Sequence, residues 1–177
     1  MIYFYLLAGG GIASFVHIYL VWIHRGKGKY SISENAVVDT KSHTIYFLSH
    51  VACEILILMF SYRFYVVEHK LFIPHYLNIC FAFFDFMQAA LSSKGKTEKI
   101  HYATAYVSWV SYIASGIFAF ILLDIAQPFR TLSLLFLVPA ISMFTYIHFN
   151  RSKLYPYQLA IVPSYVIYLL FVVIGSH

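Results

Sequence analysis

The chain has 177 residues, 61% of them hydrophobic and only 11% charged, with a net charge of +5 and a mean hydropathy of +0.75. Soluble domains carry about 25% charged residues, so these figures exclude an ordinary soluble enzyme, a disordered chain and a disulfide-stapled secreted scaffold. They point to an integral membrane protein whose basic excess sits in loops facing anionic lipid, and no nucleic-acid-binding motif is present.

A membrane span needs about 20 apolar residues. Six such segments are predicted, at 2–23, 43–67, 71–91, 101–125, 131–149 and 157–174. The expected fold is all-α: six transmembrane helices in an up-and-down bundle, one transmembrane domain over 1–177. The first segment has no basic lead or small-residue cleavage site and reads as a retained span rather than a signal peptide. The loop after it carries Ser31-Ile32-Ser33-Glu34, a capping-box pattern that predicts a short interfacial helix. Asp39 or Ser42 is placed to cap the second segment, and Thr97 to cap the fourth. Pro74 falls near the start of the third, where a missing N–H costs little. Pro139 and Pro163 lie inside the fifth and sixth, where they predict kinks. Gly9, Gly10, Gly11, Ala13, Ala89, Ala90, Ala114 and Gly116 are the small residues through which helices are expected to pack. Cys53 and Cys80 lie in apolar segments and read as free, small hydrophobes.

Positive charge sets the expected orientation. Nine of the twelve Lys and Arg lie in or beside the first, third and fifth loops, leaving Arg63, Lys70 and Arg130 on the other face. The positive-inside rule then places the odd-numbered loops in the cytoplasm and both termini outside, in the plasma membrane.

An ionisable residue inside a span costs about 2.5–3.5 kcal/mol on insertion scales and normally faces the bundle interior. The spacing of such residues is helical. His43, His50, Glu54 and Ser61 share one face of the second segment, and Asn78, Asp85, Gln88 and Ser92 one face of the third. His101, Thr104, Ser108, Ser111 and Ser115 do so on the fourth, Ser14, His17 and His24 on the first, Thr145 and His148 on the fifth. Most of these lie toward the odd-loop face. The expectation is a polar pocket opening on that face, lined by His17, His50, Glu54, Asp85, Gln88, His101, Thr104, Ser108 and His148, with Glu54 at its floor. The alternative is that Ser, Thr and His act as hydrogen-bonding glue between helices.

These residues carry a resemblance. Tyr30-Ser31-Ile32-Ser33-Glu34 directly follows the first segment, Tyr62-Arg63-Phe64-Tyr65 ends the second, and His101 opens the fourth. The layout, over residues 25–120, resembles the damage-regulated autophagy modulator (DRAM) family and related six-span bacterial and archaeal membrane proteins. The resemblance implies six spans and marks Ser33, Glu34 and His101 as positions of interest, without roles. It also implies an exterior or lumenal loop for the Ile-Ser-acidic motif, against the cytoplasmic placement from charge.

Four functions are open to this pattern. A pocket that binds or transports a lipid or small amphiphile needs only the cavity and its aromatic lining. An intramembrane lipid hydrolase or transferase would use His50 and Glu54, with zinc among His17, His50, Glu54, Asp85 and His148; no two histidines stand four residues apart, as known membrane hydrolases of the ceramidase type require. A b-type haem would use His17 and His50 as axial ligands. A structural or regulatory subunit would engage a protein partner through the basic first loop.

Overall fold

Side-chain caps start two of the helices after the first apolar segment. Ser31 accepts from the Glu34 N–H at 3.2 Å, and Asp39 accepts from the Ser42 N–H at 2.7 Å. Each satisfies a donor that a helix start leaves without an intrahelical partner. The computed structural model of the chain describes residues 1–24, 31–91, 95–149 and 154–177, with side chains for all of these except 147–149 and 154–156. Its helices are α1 (Ile2–Ile23), α2 (Ile32–Ala36), α3 (Thr40–Ser61), α4 (Phe72–Ala90), α5 (Glu98–Leu122), α6 (Phe129–Phe149) and α7 (Leu154–Gly175). A π-helical stretch, Tyr62–Glu68, continues α3, and a 3₁₀ turn, Gly95–Thr97, leads into α5. No strand occurs among the described residues.

Two local expectations fare differently. The short helix after the first segment forms as α2, with Ser31 as its cap. Thr97 stands at the start of α5, but its φ of −92° and ψ of −4° are already helical, and its side chain makes no cap bond. The 3₁₀ turn feeds straight into the helix and removes the extended residue that a capping hydroxyl needs.

Among the described residues, five helical stretches are long and apolar enough to cross a membrane: Ile2–Ile23, Thr40–Glu68, Gly95–Leu122, Phe129–Tyr146 and Tyr157–Gly175. The 19-residue α4 is not one of them, and the reason lies in its interior face. Asn78, Asp85 and Gln88 lower its apolar content, yet all three are buried. Its outer face, with Phe72, Ile73, Tyr76, Ile79, Phe83 and Phe86, is exposed and apolar. The same inversion holds elsewhere. Phe15, Trp22, Leu135 and Val138 point outward, while Ser49, Glu54, Ser108 and Ser115 are buried. A bundle with apolar residues outside and polar ones inside is built for lipid surroundings.

Around the bundle the packing order is α5, α4, α3, α1, α7, α6, and α5 touches α6 and α7 only sparsely. Those contacts include a pinned point. Tyr165 and Tyr168 of α7 donate their hydroxyls to the Tyr112 and Gly116 carbonyls of α5, each at 2.5 Å. A Cβ on Gly116 would lie 3.0 Å from the Tyr165 and Tyr168 rings, so glycine is what allows this approach. Close by, the Ala126 N–H donates to the Gly175 carbonyl at 2.8 Å, and Asn78 Nδ2 donates to Ser61 Oγ at 3.0 Å. Small residues serve α1 in part: Gly9 packs on Leu56 of α3, whereas Gly11 is exposed and faces nothing within 4 Å. Ala90 is exposed as well.

Candidate functional site

A cavity of about 1290 Å³ runs down the centre of the bundle. Its polar part is built on α3 and α4. His50 and Glu54 stand one turn apart on α3, and Asp85 meets them from α4. His50 Nδ1–H donates to Asp85 Oδ2. Asp85 Oδ1 accepts from Gln88 Nε2 at 3.1 Å and from Ser108 Oγ at 3.3 Å. Gln88 Nε2 also reaches the Tyr46 hydroxyl at 3.2 Å. His101 Nδ1 donates to the carbonyls of Gln88 and Leu91 at 2.8 and 3.1 Å, which closes the end of α4 onto the start of α5. Carbonyl acceptors require a hydrogen on that nitrogen and fix the tautomer.

Three polar atoms of this group have no hydrogen-bond partner although they are buried: His17 Nδ1, His50 Nε2 and Glu54 Oε2. Buried polar groups without partners are uncommon, and each calls for an explanation. The His17 and His50 rings, the pair considered for haem ligation, lie 5.8 Å apart between centroids, and Tyr46 packs against both. The cavity's other side is aromatic and aliphatic, with Tyr106, Trp109, Phe144, Ile161 and Val166 along the sparse seam between α5 and the α6–α7 pair.

Of the residues expected in the pocket, His17, His50, Glu54, Asp85, Gln88 and His101 line the cavity. Thr104 and Ser108 are buried but lie outside the lining. Thr104 returns its hydroxyl to the Ile100 and His101 carbonyls of its own helix, and Ser108 spends its hydroxyl on Asp85. Thr145 is exposed, so it joins no interior stripe, and the side chain of His148 lies outside the described residues. Glu54 is not the floor: Leu6, Ile57, Phe81 and Tyr112 extend the cavity beneath it as an apolar end. Ser33 and Glu34, marked as a loop motif, also line the cavity, because α2 folds back over its mouth. There the Tyr102 hydroxyl reaches Glu34 Oε1 at 3.5 Å, and the Ile32 N–H donates to Gln158 Oε1 of α7 at 2.9 Å. Cys53 and Cys80 are free, as expected, and Cys53 donates to the Gly9 carbonyl.

Sequence reasoning missed Tyr46, Gln158, Trp109 and the mouth residues Lys96 and Lys99. Tyr46 carried a signal, standing four residues before His50 as His50 stands four before Glu54. Gln158 carried none within its own helix. Comparisons with protein-family models, with curated proteins and with solved structures find no match to this chain.

Proposed function

We propose that this chain is a six-span membrane protein whose central cavity binds a lipid or another small amphiphile. The observation that carries the reading is the division of the cavity. One side is polar around His50, Glu54, Asp85 and Gln88, and the other is aromatic and aliphatic down to Leu6 and Tyr112. An amphiphile has the same division, with a head that takes hydrogen bonds and a tail that takes none. The sparse seam between α5 and α6–α7 gives such a molecule a lateral way in from the bilayer. In this reading α4 is the sixth span, hidden from hydropathy by its buried polar face. The odd-numbered loops lie in the cytoplasm of the plasma membrane, and both termini lie outside. Kinship with the DRAM group belongs to the same reading, supported by the fact that Ser33, Glu34 and His101 all line one cavity.

A second reading, an intramembrane lipid hydrolase or transferase, is favoured by one feature. Asp85 holds His50 through Nδ1, leaving Nε2 unpartnered and available as a base.

Native mass spectrometry of the protein in mild detergent tests the first reading. Wild type is expected to retain one lipid per chain, and Glu54→Leu to stay folded but lose or exchange it. Wild-type lipid occupancy together with unchanged stability in Glu54→Leu would sink the pocket assignment.

A further inference from the structure

The polar side of the cavity holds the donor set of a metal site. One ring nitrogen of His50, one carboxylate oxygen of Glu54 and one of Asp85 lie within 4.8 Å of one another. Two packed helices fix that spacing, since His50 and Glu54 are one turn apart on α3 and Asp85 comes from α4. A second observation is independent of the cluster. Glu54 is only 6% exposed, and its Oε2 has no hydrogen-bond partner, nor does His50 Nε2 beside it. A polar atom left without a partner in a buried site is costly, more so when charged. A cation removes that cost.

We propose that His50, Glu54 and Asp85 bind one divalent cation of the zinc type, with a further coordination position open to the cavity. The donor chemistry selects this class. One imidazole and two carboxylates suit zinc, and three protein ligands with an open position are its usual arrangement where it acts on a bound molecule. Calcium demands six to eight oxygens and magnesium a near-ideal octahedron, which an imidazole and a partly apolar wall do not offer. Two carboxylates and one dication sum to no net charge, the cheapest state for a site inside a bundle. Gln88 and Ser108 hold Asp85 Oδ1, so the carboxylate is already oriented. This inference does not rest on a lipid occupying the cavity.

The test is a titration of chelator-treated, folded protein in detergent with Co²⁺, read by its visible absorption. One Co²⁺ per chain is expected, displaced by Zn²⁺. Glu54→Gln and Asp85→Asn each remove a direct ligand and should weaken binding by more than the about 10–100-fold that loss of an outer-shell partner costs. His75→Ala, a histidine of α4 outside the cavity, should bind like wild type. Should either ligand variant fail to fold, X-ray absorption on zinc-loaded wild type decides: the site is expected to show nitrogen and oxygen neighbours, with an imidazole and no sulfur. The proposal is overturned by absence of saturable binding in folded wild type, by wild-type affinity in both ligand variants, or by a sulfur ligand. Lipid retention is measured on the same chelated sample. Lipid without Co²⁺ binding removes the metal site alone, and Co²⁺ binding without lipid removes the pocket reading alone.

Discussion

The two ends of this bundle solve opposite problems. At the end holding Gly116, α5 and α7 meet through a glycine and two tyrosine hydroxyls, and the surrounding side chains (Phe60, Phe64, Tyr65, Leu169, Val172) are almost fully buried. At the end holding His50 and Asp85, the same helices part, and polar atoms lie buried without partners around a cavity. The first end uses tyrosine hydroxyls to hold helices together. The second turns polar side chains toward a cavity. Unpartnered buried atoms occur at both ends, Asn78 Oδ1 and His69 Nε2 among them; what sets the second end apart is that His17, His50 and Glu54, which carry such atoms, line a cavity.

Substitutions at the two ends should fail in different ways. The largest effect is expected at Gly116→Val, which drives a side chain into the Tyr165 and Tyr168 rings. Overpacking of this kind costs about 1–3 kcal/mol, so thermal unfolding in detergent should drop clearly, while the fraction that stays folded keeps its bound lipid. A wild-type melting temperature would show that the close approach is not what holds α5 to α7. Next comes Tyr168→Phe, which removes one buried donor to the Gly116 carbonyl and should cost about 1 kcal/mol. Lipid occupancy unchanged beside a lowered melting temperature would support the division between the ends, and the reverse pattern would break it.

The smallest effect is a pH dependence at the cavity end. The Asp39 carboxyl is held below its ordinary 3.8 mainly by the Ser42 backbone N–H, opposed by burial and helped by the Ser42 hydroxyl and by His24. A group with a depressed folded value contributes its stability fully above its unfolded value, about 3.9, and loses it as pH falls through the folded one. Wild type should thus lose stability below about pH 4 more steeply than Asp39→Asn, which caps without titrating. Parallel melting curves for the two proteins across that window would remove Asp39 from the pH response.

How much of this was legible in the sequence depends on the range of each interaction. Apolar length and the Ser31 and Asp39 caps are local, and the helices they set appear where they were expected. The polar stripes are also local, so the burial of Glu54, Asp85, Gln88 and His101 followed from spacing alone. Which hydroxyls face the cavity did not. Thr104 and Ser108 sit on one stripe, yet Thr104 bonds back to its own helix while Ser108 reaches Asp85. That choice depends on the neighbouring helix and is invisible to periodicity. The mean hydropathy of α4 is low for a related reason, because it averages a buried polar face with an exposed apolar one. Gln158 was out of reach, since its partner Ile32 lies 126 residues away.

That last bond also bears on the order in which the protein is completed. The α2 segment emerges from the ribosome early, yet the amide oxygen that takes its Ile32 N–H arrives with α7, as do the Tyr165 and Tyr168 hydroxyls that pin α5. Translation therefore delivers the clasp last. Until α7 is present, α2 lacks the anchor for its Ile32 N–H, and the side of the bundle that α7 closes against α1 stays open.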